Sequence, residues 1–373
     1  MENKGVHREP DRVNSPVEGY FRLPAVWIGE APKDPDTARG MNMRALAVVN
    51  MQFSCGINAY AMRNGLFLFD FLNSTVAPVV VLPSHERRAM EPPPRAIVDV
   101  ALKLENSSTL RSQIMNVHQA CLISAELLVK HRSAAMGFPV TGWNLVRALR
   151  TDLGVHYHDD SEDMHGLARN VLDGKYAPTI LMNQRRVLET EVVEHSFMAL
   201  DHIISCASGR YLPIVEAAYQ SASRCVEHRL GESIAIGWTA CEQLITEDWR
   251  TLVERTNAVR SEANRMTKDR RKKLSGRDYT ASVMVEMLDF SGSMSPTLYG
   301  NLEIARKARN NWAHDMKVPT GNEIFACQAA IREMLARRGI QLHLQLGFRG
   351  SGGASWTLET LKRVRTDVDH LHG

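Results

Sequence analysis

Apolar residues recur at every third or fourth position along most of this chain, which is the spacing of one buried face of an α-helix. In the first half this spacing predicts four helices, over 95–104, 110–129, 141–149 and from Pro178 past Ile204. The run 79–82 is the one piece that resembles a strand. We therefore predict an N-terminal helical domain over 41–212, preceded by a loose N-terminal tail over 1–40 that docks a short apolar segment on the body.

The second half shows the same helical spacing with clearer start signals. A long apolar stripe runs from Ile234 to Leu252, and Asp278 is a candidate cap for the helical segment that follows it. Ser295-Pro296 is typical of a helix start, with serine as the cap and proline at the first helical position. The last core helix is predicted over 323–337. The fold class that follows is all-α, with a second helical-bundle domain over 213–340 and a C-terminal extension over 341–373.

Composition narrows the class of protein. The chain has 373 residues, of which 44% are hydrophobic and 23% charged, as expected of a globular protein with about two domains. No apolar run approaches the roughly 20 residues that span a bilayer, and six widely spaced cysteines predict reduced thiols. We expect a cytoplasmic protein with no membrane segment and no cofactor. Arginine far outnumbers lysine, which favours phosphate partners, although a GC-rich genome produces the same bias.

The segment 307–315 carries the most informative motif, Lys-Ala-Arg-Asn-Asn-Trp-Ala-His-Asp. Arginine followed by histidine at similar spacing recurs elsewhere in the chain, but among these pairs only the arginine at 309 is directly followed by asparagine. The motif resembles the Arg-Asn-x-x-x-His signature of the HEPN family, helical bundles that are often metal-independent endoribonucleases. The resemblance extends over roughly 225–340, including an earlier long helix that carries Glu242. It implies a HEPN-like fold, a homodimer with a composite cleft, and a role as a toxin or antiviral defence effector.

The chemistry of RNA cleavage explains why these residue types matter. Attack of the 2′-hydroxyl on the adjacent phosphate needs a base, an acid and a cation, and histidine serves as base or acid at neutral pH. We expect His314 to move the protons, Arg309 to stabilise the charge on phosphorus, Asn310 to position the phosphate and Trp312 to anchor the helix. Residues five apart on a helix differ by roughly 140°. Arg309 and His314 therefore converge only if the helix distorts or ends near Ala313, or if a second copy contributes.

Basic residues supply a candidate RNA-binding surface in the same domain. The run comprises Lys268, Arg270, Arg271, Lys272 and Lys273, and it is joined by Arg306 and Lys307 near the motif. Such contacts to phosphate would give affinity without sequence choice, although a charge run is more often just a solvated face. We expect RNA as the main partner, a second copy of the chain, and a regulatory protein that acts through the N-terminal domain.

Two other readings of the motif stay open. The first is a non-catalytic HEPN-like protein that dimerises and binds RNA or a nucleotide. The second is an ordinary helix end, because histidine and lysine in a last turn interact favourably with the helix dipole.

Other segments carry weaker alternatives. Arg150 and His156 form a looser version of the motif, predicted at a helix end, which would make the first half a diverged second bundle. The run 156–165 concentrates possible metal ligands, and Asp289, Ser291 and Ser293 match the opening of a von Willebrand A metal site. His195 and His202 share a helix face. We favour structural roles for these groups and predict no metal.

Overall fold

The structure is a computed structural model in which residues 15–18, 20–22, 26–31, 47–71, 73–77, 94–130, 147–151, 154–157, 186–274, 276 and 279–344 are described. These residues are mostly helical. They belong to two compact units. The first unit comprises the described residues up to Val129 and those between Ala134 and Gly209, and the second comprises Lys130 and the residues from Arg210 on. Within the described ranges, no helix is both long enough and apolar enough to cross a membrane.

Among its described residues, the first unit combines strands with two helices. Its strands are β1 (Ser15–Glu18), β2 (Tyr20–Arg22), β3 (Val26–Ile28), β4 (Ala47–Gln52), β5 (Asn58–Met62), β6 (Leu66–Asp70), β7 (Arg147–Thr151), β8 (Gly154–Tyr157) and β9 (Arg186–Leu188). Its helices are α1 (Pro94–Lys130) and α2 (Thr190–Ser205), and a 3₁₀ turn over Cys206–Gly209 follows α2. The strands form an antiparallel sheet β2-β6-β5-β4, an antiparallel sheet β1-β7-β8 and a parallel pair β3-β9.

This sheet structure corrects the prediction that the first half is all-α. Strand β6 is buried along its whole length, and a short, fully apolar run does not distinguish a buried strand from a buried helix. The turn before it was visible in the sequence, because Asn64-Gly65 is a strong hairpin signal. Gly65 takes a φ of 84° there, and the Asn64 side chain accepts a hydrogen bond from the Leu66 amide.

Two further predictions in the first unit are wrong. The segment predicted as a helix over 141–149 ends in strand β7, and Val187 lies in β9 rather than in the helix before Ile204. The N-terminal tail supplies strands, and its apolar segment Val26–Ile28, predicted to dock on the body, is fully buried as β3 beside β9. By contrast, the two helices predicted over 95–104 and 110–129 are confirmed as one helix, α1. The strand predicted over 79–82 lies outside the described residues.

The second unit is a helical bundle. Its helices are α3 (Leu212–Val226), α4 (Leu230–Ala258), α5 (Lys268–Leu274), α6 (Ala281–Phe290), α7 (Pro296–Asp315) and α8 (Gly321–Ala336), with a 3₁₀ turn over Glu262–Asn264. Helix α4 packs against α3, α6, α7 and α8, and α7 also lies along α8. The apolar stripe of α4, including Trp238 and Leu244, is buried in this core. The helices predicted from the sequence are confirmed here.

Local capping fixes where these helices begin. Ser295 caps α7 as predicted, because its side chain accepts a hydrogen bond from the Leu298 amide and Pro296 takes the first helical position. Helix α6 is capped by Thr280 rather than by the predicted Asp278. Helix α8 begins at Gly321, two residues before the predicted start, because Thr320 and Glu323 form a reciprocal capping box. The Ser295 cap thus fixes where the helix that carries the motif begins.

Candidate functional site

Helix α7 carries all three predicted catalytic residues in its last two turns. The helix continues through Asp315 and ends at Met316, which adopts the left-handed conformation (φ 53°, ψ 24°). The Met316 amide donates to the carbonyls of Asn311 and Trp312, so the last turn stays regular. The helix therefore continues past Ala313 by two residues as regular α-helix. The backbones of Arg309 and His314 remain roughly 140° apart around the axis.

The Asn310 side chain brings the Arg309 guanidinium toward the helix face of His314, although the backbone angle between the two residues stays the same. The Arg309 Nη1 atom donates a hydrogen bond to Asn310 Oδ1 at 3.1 Å, which draws the guanidinium toward the face that Asn310 occupies. His314 lies on that same face, because residues four apart on a helix are neighbours with Cβ atoms about 5–6 Å apart. The predicted role of Asn310 was to position phosphate. In the structure it holds the arginine, a function that the sequence signature alone did not reveal.

Accessibility at the motif differs between the two ionisable groups. His314 is exposed, whereas Arg309 is half-buried beside the core-facing residues of α7. Arg309 forms no ion pair within the part of the chain that the structure describes, so Glu303 and Asp315 do not neutralise it there. The guanidinium charge is thus available to an anion that approaches the end of α7.

A polar stripe extends the motif along α7. The stripe consists of four residues at helical spacing, which are Glu303, Lys307, Asn310 and His314. Arg306 donates two hydrogen bonds to Glu303, at 2.7 and 2.8 Å, and this arginine lowers the pKa of the Glu303 carboxyl. The Lys307 ammonium lies 3.8 Å from the same carboxylate, yet its side chain is 68% exposed. Of the two basic residues predicted to bind RNA on α7, Lys307 is therefore the more accessible.

Trp312 fixes the motif helix against α4. A Cβ atom added at Gly231, in the first turn of α4, would lie 2.3 Å from both Cε2 and Cζ2 of the Trp312 ring. The indole therefore occupies the space that a side chain would need at this position. This contact agrees with the anchoring role predicted for Trp312. It also adds Gly231 to the site, and no signal in the sequence identified that glycine.

The predicted basic run lies on α5, and every one of its five cations is exposed. The Trp249 indole nitrogen donates to the Leu274 carbonyl at 2.7 Å and holds the end of α5 against α4. The structure thus places the run on a helix of its own, separate in the chain from the α7 motif.

The looser second motif does not lie on a helix. Arg150 belongs to β7 and His156 to β8, and the strand register pairs Arg150 with Val155 and Leu149 with His156. The prediction of a diverged second bundle is therefore wrong for these residues. Gly154, which interrupts this motif, starts strand β8. The rest of the run from His158 to His165 lies outside the described residues.

The structure also describes the residues of the two other candidate metal sites, around Asp289 and at His195 and His202. The run 283–288 is helical, so the strand that a von Willebrand A site requires before Asp289 is replaced by α6. The Ser291 hydroxyl donates to the Leu288 carbonyl and lies 2.9 Å from Ser293 Oγ. His195 is exposed on α2, and the His202 ring lies 3.5 Å from Cys206 Sγ. Across the described ranges, no group of three or more histidine, cysteine, aspartate or glutamate side chains is arranged to hold a metal ion.

The end of the motif helix is accessible, since residues 313–316 are all exposed whereas 309–312 are partly buried. A shallow groove of the second unit is lined by residues of α3, α8 and the chain after α8, including Ala218, Ile331 and Leu342, and no motif residue lines it. A cleft over the end of α7 therefore requires another surface to close it.

The chain matches no protein-family model, no curated protein and no solved structure. The resemblance to the HEPN family thus rests on the motif in segment 307–315 and on the order of the helices around it.

Proposed function

We propose that this chain is an endoribonuclease that cleaves RNA without a metal ion, by attack of a 2′-hydroxyl on the adjacent phosphate. The observation that carries this proposal is the hydrogen bond from Arg309 to Asn310. It brings a guanidinium that has no ion pair among the described residues to the helix face on which the exposed His314 imidazole lies. A cation and a proton acceptor are thus offered together at an accessible helix end. Toxin or antiviral defence activity is the biological role that the motif resemblance suggests.

Each side chain has a defined part in the reaction. The His314 imidazole takes the proton of the 2′-hydroxyl, and the resulting oxyanion forms a bond to phosphorus. Arg309 binds two non-bridging phosphate oxygens and stabilises the charge that builds on them. The bond from phosphorus to the 5′-oxygen then breaks, and that oxygen receives a proton. The products are a 2′,3′-cyclic phosphate and a 5′-hydroxyl.

A second copy of the chain supplies what one copy lacks. In-line displacement places the attacking and leaving oxygens on opposite sides of phosphorus, so one imidazole does not serve both at once. The open surface around α7 leaves room for the corresponding helix of another copy, whose histidine would protonate the leaving oxygen. We therefore propose a homodimer with a composite site.

The test is cleavage of a labelled single-stranded RNA by the full chain in EDTA. His314→Ala should lower the cleavage rate by about 10²–10⁴, the usual contribution of a general acid or base. Asn310→Ala should lower it less, because it releases Arg309 without removing a reacting group. A matched control is His195→Ala, which removes an exposed helical histidine in the other unit and should leave the rate unchanged.

Two results would contradict the proposal. One is full cleavage by the His314→Ala protein, and the other is cleavage that EDTA abolishes. A substrate with a 2′-deoxynucleotide at the cleavage position should resist the enzyme, and circular dichroism should show the variants to be as helical as the parent protein.

A non-catalytic RNA-binding protein is the second candidate. It is favoured by the position of His314 in the last turn of α7, where an imidazolium stabilises a helix without doing chemistry. RNA that is retained intact by the parent protein in EDTA would support this candidate over the nuclease.

A further inference from the structure

The end of helix α4 and helix α5 form a projecting hairpin, which we call the basic arm (residues 250–274). Beyond Trp249, the last nine residues of α4 extend for about 14 Å at 1.5 Å per residue. The chain then returns through α5, whose last carbonyl, on Leu274, accepts the hydrogen bond from Trp249. None of the described side chains from Arg250 to Lys273 is buried. The arm is thus an outgrowth of the bundle rather than a part of its core.

Several contacts hold the arm in shape. At its base, the Trp249 and Tyr279 rings stack with centroids 5.5 Å apart. Farther out, the Met266 amide donates to Asn257 Oδ1 at 2.7 Å, which ties the returning chain to α4. An arm fixed at two levels presents its charges in a defined arrangement, so less ordering entropy is lost when a ligand binds.

The charge of the arm is strongly positive. Residues 250–273 contain nine basic and three acidic side chains, a net +6, while the whole chain carries only +3. The rest of the chain is therefore net negative, at −3. The nine are Arg250, Arg255, Arg260, Arg265, Lys268, Arg270, Arg271, Lys272 and Lys273.

Ion pairing separates the arm from the bundle. Several arginines of the bundle are held by carboxylates, as in the pairs Arg224–Glu227, Arg229–Glu232 and Arg338–Asp248. Within the described ranges, the arm's basic residues other than Arg271 show no ion pair. Cations that are exposed, clustered and unpaired attract a polyanion, because neutralising its phosphates releases condensed counterions.

We infer that the basic arm is an RNA-backbone-binding element, distinct from the cleavage motif, and that both of its limbs contribute. This inference rests on the proposed function for its choice of RNA. The limb from α4 adds Arg255 and Arg260 to the run on α5, so phosphates are contacted from two sides. The arm gives affinity without sequence choice, because cations read the backbone and not the base edges.

The composition of the arm favours RNA over a membrane or an acidic protein. An interfacial membrane helix needs an apolar face, whereas α5 has a single apolar residue, Leu274, at the base of the arm. Protein interfaces are anchored by aromatic residues, but the two aromatic rings here stack on each other.

The test uses the His314→Ala chain, so that RNA stays intact, with a labelled single-stranded RNA and fluorescence anisotropy in EDTA. The α5 variant Lys268→Gln/Arg270→Gln/Lys272→Gln/Lys273→Gln should bind at least about tenfold more weakly at physiological salt. Its plot of log affinity against log salt should be shallower by about 3, because each phosphate of a single strand that the protein neutralises contributes roughly 0.7 to the slope.

Two double variants test whether RNA binding depends on where the arginines lie or only on how much positive charge is removed. Arg255→Gln/Arg260→Gln should weaken binding, whereas Arg224→Gln/Arg229→Gln removes the same charge from the bundle and should have little effect. Equal losses in the two double variants, or unchanged binding by the α5 variant, would overturn the inference. So would preferential binding to vesicles of phosphatidylserine and phosphatidylcholine.

The inference and the proposed function fail independently. If RNA binding depends on the arm but the parent protein does not cleave RNA, the inference about the arm holds and the proposed nuclease function is wrong. If cleavage depends on His314 while the arm variants bind RNA normally, the proposed nuclease function holds and the inference about the arm is wrong.

Discussion

Two small side chains determine the geometry around the motif. Asn310 holds the Arg309 guanidinium toward the His314 face, and Gly231 leaves room for the Trp312 ring that fixes α7 on α4. A hydrogen in place of a side chain at Gly231 is therefore part of how the site is built. The same is not true of every glycine here, because a Cβ at Gly300, also in α7, would contact nothing within 4 Å.

Gly231→Ala should destabilise the chain by about 1–3 kcal/mol, because the new methyl group overlaps the Trp312 ring and forces it to move. The displaced ring should also shift the last turns of α7 and lower RNA cleavage. Urea unfolding and the cleavage assay measure the two effects.

Gly300→Ala is the matched control in the same helix, and it should be neutral or slightly stabilising since alanine favours helix. The Gly231→Ala/Trp312→Phe double variant should show coupling, because the smaller ring relieves the overlap. Additive losses in this cycle would mean that the two residues do not share the contact.

At the scale of elements, the helices of the second unit were predictable because their signals are local. Ser295-Pro296 starts α7 and the Thr320/Glu323 pair starts α8, so capping and periodicity agree with the structure. Some strands have partners that are distant in sequence, since Val26 pairs with Arg186 and Tyr20 pairs with Leu68. The local hairpin of β5 and β6 was missed for another reason, because the fully apolar run of β6 fits a buried helix as well as a buried strand. The motif on α7 was likewise a local signal, whereas the Gly231–Trp312 contact depends on tertiary packing and left no trace in the sequence.

Thr320→Ala should lower the free energy of unfolding by about 1 kcal/mol, the usual cost of losing a threonine N-cap. The Thr320 hydroxyl accepts from the Glu323 amide, and the Thr320 amide donates to Glu323 Oε2 at 2.6 Å. Thr320→Ser keeps the hydroxyl and should retain most of the stability. If both variants lose the same amount in urea unfolding, the capping box does not stabilise α8.

At the scale of the whole molecule, the two units differ in where their polar groups lie. The second unit places cations on its surface, at the basic arm and at the end of α7. The first unit buries a titratable ring, since His118 on α1 is fully inaccessible. Its ring stacks on Phe197 with centroids 4.7 Å apart and meets the edges of Phe67 and Phe69.

A hydrogen bond indicates which nitrogen of this histidine carries a proton. Ser196 Oγ donates to the Val193 carbonyl at 2.7 Å, so it accepts from His118 Nε2, which lies 3.1 Å away. The Nε2 atom of His118 therefore carries a proton. Burial lowers the pKa of His118 from 6.5 to about 3, because a charged imidazolium would lose its hydration among apolar side chains.

The stability of the first unit should therefore fall in acid. Between pH 6.5 and pH 3 the unfolded chain binds a proton at His118 and the folded chain does not, so the free energy of unfolding decreases as the pH falls. The loss is at most about 1.4 kcal/mol per pH unit, or roughly 2 kcal/mol at pH 5 relative to pH 7. Urea unfolding at a series of pH values measures it.

Comparison of variants assigns the effect to this ring. His118→Phe removes the titrating group, so its stability should vary less between pH 7 and pH 5, even if its stability at pH 7 is lower. His118→Gln provides a second, polar replacement should phenylalanine not fold. His195→Gln, at an exposed position, should keep the acid sensitivity of the parent chain. Parallel pH profiles for the parent and both His118 variants would show that the buried imidazole is not the group whose protonation opens the first unit.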